Sequence, residues 1–193
     1  MRNTKVTLEL LRESDRQQFV QDNQRAFKYG ALEEFGRRDD HFEEGEEIIS
    51  AKTINDSIDG KNARAYRIIC EGRKVGGIVL SIDKRKRRGE LELLFVSPEE
   101  HSKGIGYAAW CAVEEMHPEI RVWETCTPYF ETRNIHFYVN RCGFHIVEFF
   151  NRFHPDPCDP ETGEENRYDG EGEENDGMFR FEKRIKKKSG AAR

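Results

Sequence analysis

One stretch restricts the fold more than any other: Gly89 to Trp110, GELELLFVSPEEHSKGIGYAAW. An apolar run, Leu91-Glu92-Leu93-Leu94-Phe95-Val96, meets Ser97-Pro98, and proline, having no N–H for a sheet ladder, ends a strand there. A polar loop, Glu99 to Lys103, leads to Gly104-Ile105-Gly106. Beyond it Ala109, Ala112, Val113 and Met116 recur at helical spacing, and His117-Pro118 closes the helix. The glycines therefore sit where a helix begins. Free backbone N–H groups and the helix dipole form an anion site at such a point, and glycine lets a phosphate come close. A plain helix start with turn glycines explains the same letters.

The rest of the chain has to supply a core for this unit. With 193 residues it suits one domain of ordinary size. Hydrophobic and charged residues each make up 36%, which predicts a folded core with long polar loops or tails. A net charge of −5 gives no general case for nucleic acid or an anionic membrane as partner. No apolar run approaches the roughly 20 residues of a membrane helix. Met1-Arg2-Asn3-Thr4 lacks the apolar segment of a secretory signal, and five cysteines without paired spacing read as reduced thiols, so a cytoplasmic location is expected.

Lys5 to Leu11 alternates as a half-buried strand does. Ser14-x-x-Gln17 matches a capping box before a helix through Phe19, Val20 and Ala26-Phe27, which Gly30 and Gly36 should interrupt. Asp39 to Gly45 reads as an acidic turn and Glu46 to about Ile58 as a second helix. A hairpin follows: Ala63 to Cys70, the turn Glu71-Gly72-Arg73, then Lys74 to Asp83, where Gly76-Gly77 marks a bulge or close backbone approach. Lys84 to Arg88, five cations in a row, read as a solvated hairpin tip. After the central strand and helix come a strand at Arg121 to Cys126, a short helix with Ile135, Val139 and Cys142 inward and Gly143 as its cap, and a strand from Phe144 to Phe153. His154 to Asp176 is a long acidic loop, Met178 to Lys183 a last strand, and Lys186 to Arg193 a basic tail. The fold class is α/β: a mixed central sheet with helices on both faces, one domain over 1–185 and a tail over 186–193.

Two arrangements place glycines at a strand-to-helix turn. Gly104-x-Gly106-x-x-Ala109 fits the letters of a dinucleotide fingerprint, with Glu124 at about the spacing of a ribose acid. That reading implies a nicotinamide-dependent oxidoreductase. In it the first glycine follows the strand almost at once, whereas Ser97 to Lys103 intervene here. The other arrangement is that of the GNAT superfamily of N-acetyltransferases, which the chain resembles closely. Val96-Ser97-Pro98 precedes His101-Ser102-Lys103-Gly104-Ile105-Gly106, as the family's Val-x-Pro precedes Gln/Arg-x-x-Gly-x-Gly/Ala. Asn134, then Tyr138, then Gly143-Phe144 matches the second family motif. His101 departs from the usual Gln or Arg. The resemblance covers roughly Val6 to Lys183.

The resemblance implies acetyl-CoA as co-substrate and no metal. The pyrophosphate would lie on the N–H groups of Ser102, Lys103, Gly104, Ile105, Gly106 and Tyr107, with His101 beside them. The pantetheine arm would pair with Phe95 and Val96, and Asn134 would contact it. Tyr138, on the same helix face as Asn134, would protonate the departing thiolate; a packing aromatic with a bonded hydroxyl fits the same position. Glu90 and Glu92, on one strand face, are the candidate bases, and an ordinary charged strand end explains them equally. The implied reaction is acetyl transfer to a primary amine by direct attack in a ternary complex. The acceptor is a small-molecule or protein amine, cationic if the acidic stretches Asp39 to Glu47 and Glu161 to Asp176 select it. A homodimer is among the assemblies this allows; nucleic acid and membrane are not expected. A non-enzymatic binding module using Lys84 to Arg88 and Lys183 to Lys188 is the remaining alternative. His154-x-x-x-Cys158 as a zinc pair and Asp169 to Gly177 as a calcium loop are both better read as solvated loop.

Overall fold

The computed structural model describes residues 5–32, 48–157 and 177–185, and the chain forms two compact units, residues 1–121 and 122–193. The first unit holds strands β1 (Val6–Leu10), β2 (Ala63–Cys70), β3 (Arg73–Asp83) and β4 (Arg88–Val96). Its helices are α1 (Arg16–Leu32), α2 (Ala51–Asp59) and α3 (Ile105–Met116). The strands are antiparallel neighbours in the order β1-β2-β3-β4. Alternation assigns their faces. Ala65, Val79, Leu93 and Phe95 share one face, where they cluster with Phe19, Val20 and Ala26 of α1 and Ile54 of α2. Tyr66 and Ile68 of β2, facing Ile78 and Gly76 of β3, belong to the other. There α3 buries Ile105, Ala109, Trp110 and Val113 while packing on β1 and β4.

A bulge in β4 decides where its carboxylates go. Val79 lies opposite Leu93, but the next residue, Leu80, lies opposite Leu91, so Glu92 is an extra residue on β4. The extra residue shifts the phase of the strand. Leu91 turns to the α3 face with Leu80. Glu90, opposite Ser81, shares the α1/α2 face with Leu93 and Phe95. Glu92, the extra residue, is exposed.

Gly76 and Gly77 are close approaches. A Cβ at Gly76 would run into the Phe95 carbonyl, and one at Gly77 would overlap the rings of Phe19 and Phe95. Those rings meet edge to face, 5.0 Å apart, over the bare backbone of Gly77. The bulge foreseen near the glycines is present one residue earlier, where Ile68 pairs with Gly76 and Ile69 with Lys74, leaving Val75 extra.

The entry to α1 differs from the capping box predicted at Ser14. A single 3-10 turn, Glu13–Asp15, leads into the helix, with no side-chain cap at Arg12. Asp15 is the anchor instead. Arg67, whose side chain is 3% exposed, donates to Asp15 and to Asp22 at 2.8 and 2.7 Å, and Lys74 reaches Asp15 at 2.8 Å. Its hydrogen bond to Arg67 holds the Asp15 carboxyl below its ordinary pKa, against the opposing effect of burial. The Arg67 guanidinium also lies over the Phe19 ring, 5.0 Å from its centre. Gly30 does not interrupt α1, which runs through to Leu32; one helical glycine costs only about 1 kcal/mol. The helix predicted from Glu46 begins later, capped by Ser50, whose hydroxyl accepts from the Thr53 N–H at 3.0 Å. Gly36, the acidic turn at 39–45 and the tail 186–193 lie outside the described residues.

The second unit holds β5 (Val122–Pro128), β6 (His145–Phe150) and β7 (Met178–Arg184), with α4 (Thr132–His136) continuing as a wider π turn, Phe137–Cys142. β7 lies between β5 and β6, antiparallel to both. β5 extends through Thr127 and Pro128, because both pair with β7. β6 stops at Phe150 and not at Phe153, because the Asn151 side chain accepts from the Phe153 and His154 N–H groups and turns the chain. The acidic loop is described only as far as Pro157. No helix among the described residues is long and apolar enough to cross a membrane.

Gly77→Ala should destabilise the protein by about 1–3 kcal/mol through overpacking. A urea titration checks it, and adding Phe19→Leu, which withdraws one ring, should recover part of the loss.

Candidate active site

The Ser97 N–H still reaches the Val75 carbonyl of β3 at 2.8 Å, and β4 goes no further because Pro98, which has no N–H, follows. Pro98–Glu100 forms a 3-10 turn. Ser102 and Gly104 then adopt left-handed φ values of 61° and 79°. Gly104 takes this without a steric penalty, which explains the glycine there. Reversals of this kind array successive N–H groups around a concavity that suits an anion. The Ala108 N–H makes the first bond of α3, to the Gly104 carbonyl at 3.0 Å. The N–H groups of Ile105, Gly106 and Tyr107 thus lie ahead of the ladder, at the positive end of the helix dipole.

Several side chains of this loop pair with charged neighbours. Glu99 pairs with Arg25 of α1. Glu100, buried, takes Arg73 at 2.8 Å and Lys103 at 2.9 Å. The hydrogen bonds from Lys103 and then Arg73 hold its carboxyl below the ordinary range. The same Lys103 ammonium donates to the Glu99 carbonyl at 2.9 Å. His101 Nε2 sits 2.8 Å from the Val96 carbonyl, and its ring meets Tyr29 of α1 edge-on at 5.4 Å. Of the residues expected to face a donor, His101 and Lys103 therefore commit side-chain atoms to the protein. Ser102 and Gly104 are exposed.

Glu90 and Glu92 lie in the same unit, Glu90 on the α1/α2 face of β4 and Glu92 at its bulge. Glu92 remains within reach of water. The bulk of protein around it nevertheless raises its carboxyl above the ordinary value, and desolvation is the one cause. A raised carboxyl is a stronger base once ionised.

The second unit carries Asn134 and Tyr138, one turn apart. The buried face of β5 presents Trp123, Thr125 and Thr127. Asn134 Nδ2 reaches the Thr127 hydroxyl at 3.4 Å and Glu131 at 3.3 Å. The Tyr138 hydroxyl is hydrogen-bonded to Thr125. Its ring is 9% exposed and packs against Phe137, Phe144 and Phe181 at 5.5, 5.8 and 5.5 Å. Burial pushes the Tyr138 pKa up to about 12, with the Thr125 hydrogen bond opposing it. The two threonines were not foreseen from the sequence. Their signal was present: polar residues at the buried phase of an alternating strand require partners.

Glu124, the ribose acid of the dinucleotide reading, is bound instead by Arg180 at 2.7 Å, and Arg180 also holds Glu148 at 2.7 Å. His154 Nε2 bonds Glu148 at 2.8 Å, and Cys158 lies outside the described residues.

Comparison with known proteins agrees with this arrangement. Residues 17–144 match the acetyltransferase (GNAT) family. The chain is 44% identical over 184 residues to the uncharacterized protein YrkN of Bacillus subtilis strain 168, covering 95% of this chain and 96% of that one. Similar solved structures include the ribosomal-protein-S18-alanine N-acetyltransferase from Escherichia coli, at 13% identity and a TM-score of 0.63, over 97% of this chain and 99% of that chain. The PaiA N-acetyltransferase from Thermoplasma acidophilum, solved in complex with coenzyme A, is similar at 16% identity and a TM-score of 0.61, over 94% and 99% of the two chains. These structural likenesses show the fold, and the α/β class read from the sequence is observed. The matched region includes the α3 entrance and the Asn134–Phe144 segment, and the chain belongs to the GNAT family of acetyltransferases.

Proposed function

We propose that this chain transfers an acetyl group from acetyl-CoA to a primary amine by direct attack in a ternary complex. The observation that carries the reading is the α3 entrance. Left-handed Gly104 leads into N–H groups ahead of the helical ladder, and the neighbouring acids Glu99 and Glu100 are already neutralised by Arg25, Arg73 and Lys103. An anion beside two bare carboxylates would be repelled; beside these it is not. The residues present thus fit a pyrophosphate, held by the backbone of Ser102 to Tyr107. Phe95 and Val96 would line the arm and Asn134 would contact it, as the family resemblance implies.

When bound, acetyl-CoA supplies an activated thioester carbonyl. The chain supplies placement and two proton-handling groups. Glu92, exposed at the bulge and raised by desolvation, takes the proton of the attacking amine, directly or through water, and Glu90, two residues away, adds negative potential for a cationic acceptor. Tyr138 serves the departing sulfur. With its pKa near 12 it keeps its proton at neutral pH. Against a thiol of about 8.5, full transfer is uphill by roughly 5 kcal/mol. The hydroxyl therefore acts as a hydrogen-bond donor to the sulfur as charge builds there and keeps its proton, and the thiolate leaves with that charge or takes a proton from water. The acceptor is a small-molecule or protein amine, and the two neighbouring carboxylates of β4 support a cationic one.

Three outcomes check this reading. Acetyl-CoA at about 100 times its dissociation constant should stabilise the fold by roughly 2.7 kcal/mol, about 5–11 °C in melting temperature; a shift with NADH and none with acetyl-CoA or CoA would overturn it. Glu92→Gln should lower kcat by about 100-fold. Because a raised carboxyl costs stability above its pKa, the same variant should melt no lower than wild type at pH 7; an unchanged kcat removes Glu92 as the base. Tyr138→Phe should lower kcat about 100-fold with little change in KM. Turnover within twofold of wild type would exclude the role at sulfur. A second readout follows from linkage. The unfolded tyrosine ionises near pH 10 and the folded one near 12, so wild type should lose up to ~3 kcal/mol of stability between those values that Tyr138→Phe does not lose.

A further inference from the structure

We propose that His101 is a positioning residue for the donor loop, clamping it between the last carbonyl of β4 and α1, and that its side chain does not itself hold the donor phosphate. The inference rests on the donor reading above and assigns the work of the loop's one unusual letter. His101 Nε2 lies 2.8 Å from the Val96 carbonyl, so the Nε2–H donates inward across the turn that links β4 to α3. On the other side the ring meets the edge of Tyr29 at 5.4 Å and an interplanar angle of 72°. The clamp lies directly before the left-handed residue Ser102, at φ 61°. A non-glycine residue held there is strained by about 1 kcal/mol or more and persists only where its surroundings enforce it. The bracing continues on both sides, through Arg25 on Glu99, Arg73 on Glu100 and Lys103 on the Glu99 carbonyl. What the loop offers an anion is its backbone N–H groups, and backbone binds an anion well only when those groups are already in place.

Two further consequences come with this geometry. Tyr29 and Arg25 both belong to α1, the helix that covers the face bearing Glu90. His101 therefore joins that helix to the donor loop, so displacement of α1 is felt at the α3 entrance. A glutamine at this position, one of the two usual letters of the family, also ends in an N–H that can reach a carbonyl, so His101→Gln keeps the clamp that His101→Ala removes.

The test is acetyl-CoA affinity, by calorimetry, for wild type, His101→Ala, His101→Gln and His101→Phe, alongside urea titrations of each. His101→Ala should weaken binding about 3- to 10-fold, the range carried by one neutral hydrogen bond. His101→Gln should stay within about twofold of wild type. His101→Phe keeps the ring against Tyr29, so its stability should stay near that of wild type while its affinity falls with that of the alanine variant. Wild type and His101→Gln should show parallel affinity profiles between pH 6 and 8. Wild-type affinity in His101→Ala overturns the proposal. So does affinity that strengthens at low pH in wild type but not in His101→Gln, which would mean a direct phosphate contact. Wild type that binds neither acetyl-CoA nor CoA overturns the donor reading itself, a result distinct from either.

Discussion

The α1/α2 side of the first unit depends on one close packing: Phe19 resting on the bare backbone of Gly77 and against the edge of Phe95. No side chain larger than hydrogen fits beneath those rings. The contact fixes how far α1 stands from β3 and β4. Arg67 then covers the same ring and ties α1 through Asp15 and Asp22 to β2. A charge this buried is costly unless fully paired, and three hydrogen bonds from its guanidinium to two carboxylates meet that demand. With α1 seated, Arg25 and Tyr29 arrive at Glu99 and His101, and the glycine loop is supported from its own unit. The geometry of the candidate donor site is thus set several residues away, by the absence of a side chain.

The order of elements was legible because the sequence punctuates it strongly. Ser97-Pro98, Gly104 and Gly143 each mark a place where the backbone can do only a few things, and the structure does them there. Strand ends moved by a few residues where side chains intervene. Asn151 turns β6 early, and pairing with β7 carries β5 on to Pro128. Gly30 misled because a glycine is a weak breaker when the flanking turns of the helix are already packed. Ser14 misled because a capping pattern is local, while Asp15 is recruited by Arg67, 52 residues away in the chain.

The candidate site was legible as letters and much less as geometry. The facing of Glu90 depends on a bulge at Glu92 that no letter in β4 announces; both leucines beside Glu92 would suit a regular strand. The environment of Tyr138 was likewise hidden. Its hydroxyl is bonded to a threonine on β5, and the ring is enclosed by phenylalanines that include Phe144 and Phe181. The helix widens into a π turn at this tyrosine, which opens the backbone ladder locally and frequently accompanies functional positions. Sequence spacing placed Asn134 and Tyr138 on one helix face correctly, but could not say that Thr127 and Thr125 would meet them in turn.

The bulge at Glu92 also separates two kinds of genetic change. Replacing the side chain alters a carboxylate and leaves the strand alone. Deleting the residue removes the bulge and keeps the pairs on either side of it, Leu93 opposite Val79 and Leu91 opposite Leu80. Those pairs then alternate as in a regular strand, so Leu91 stays beneath α3 and Glu90 stays toward α1 and α2. The sheet therefore needs neither the side chain nor the residue at this position for its pairing, and a chain of this fold that dispensed with the carboxylate could dispense with the bulge as well.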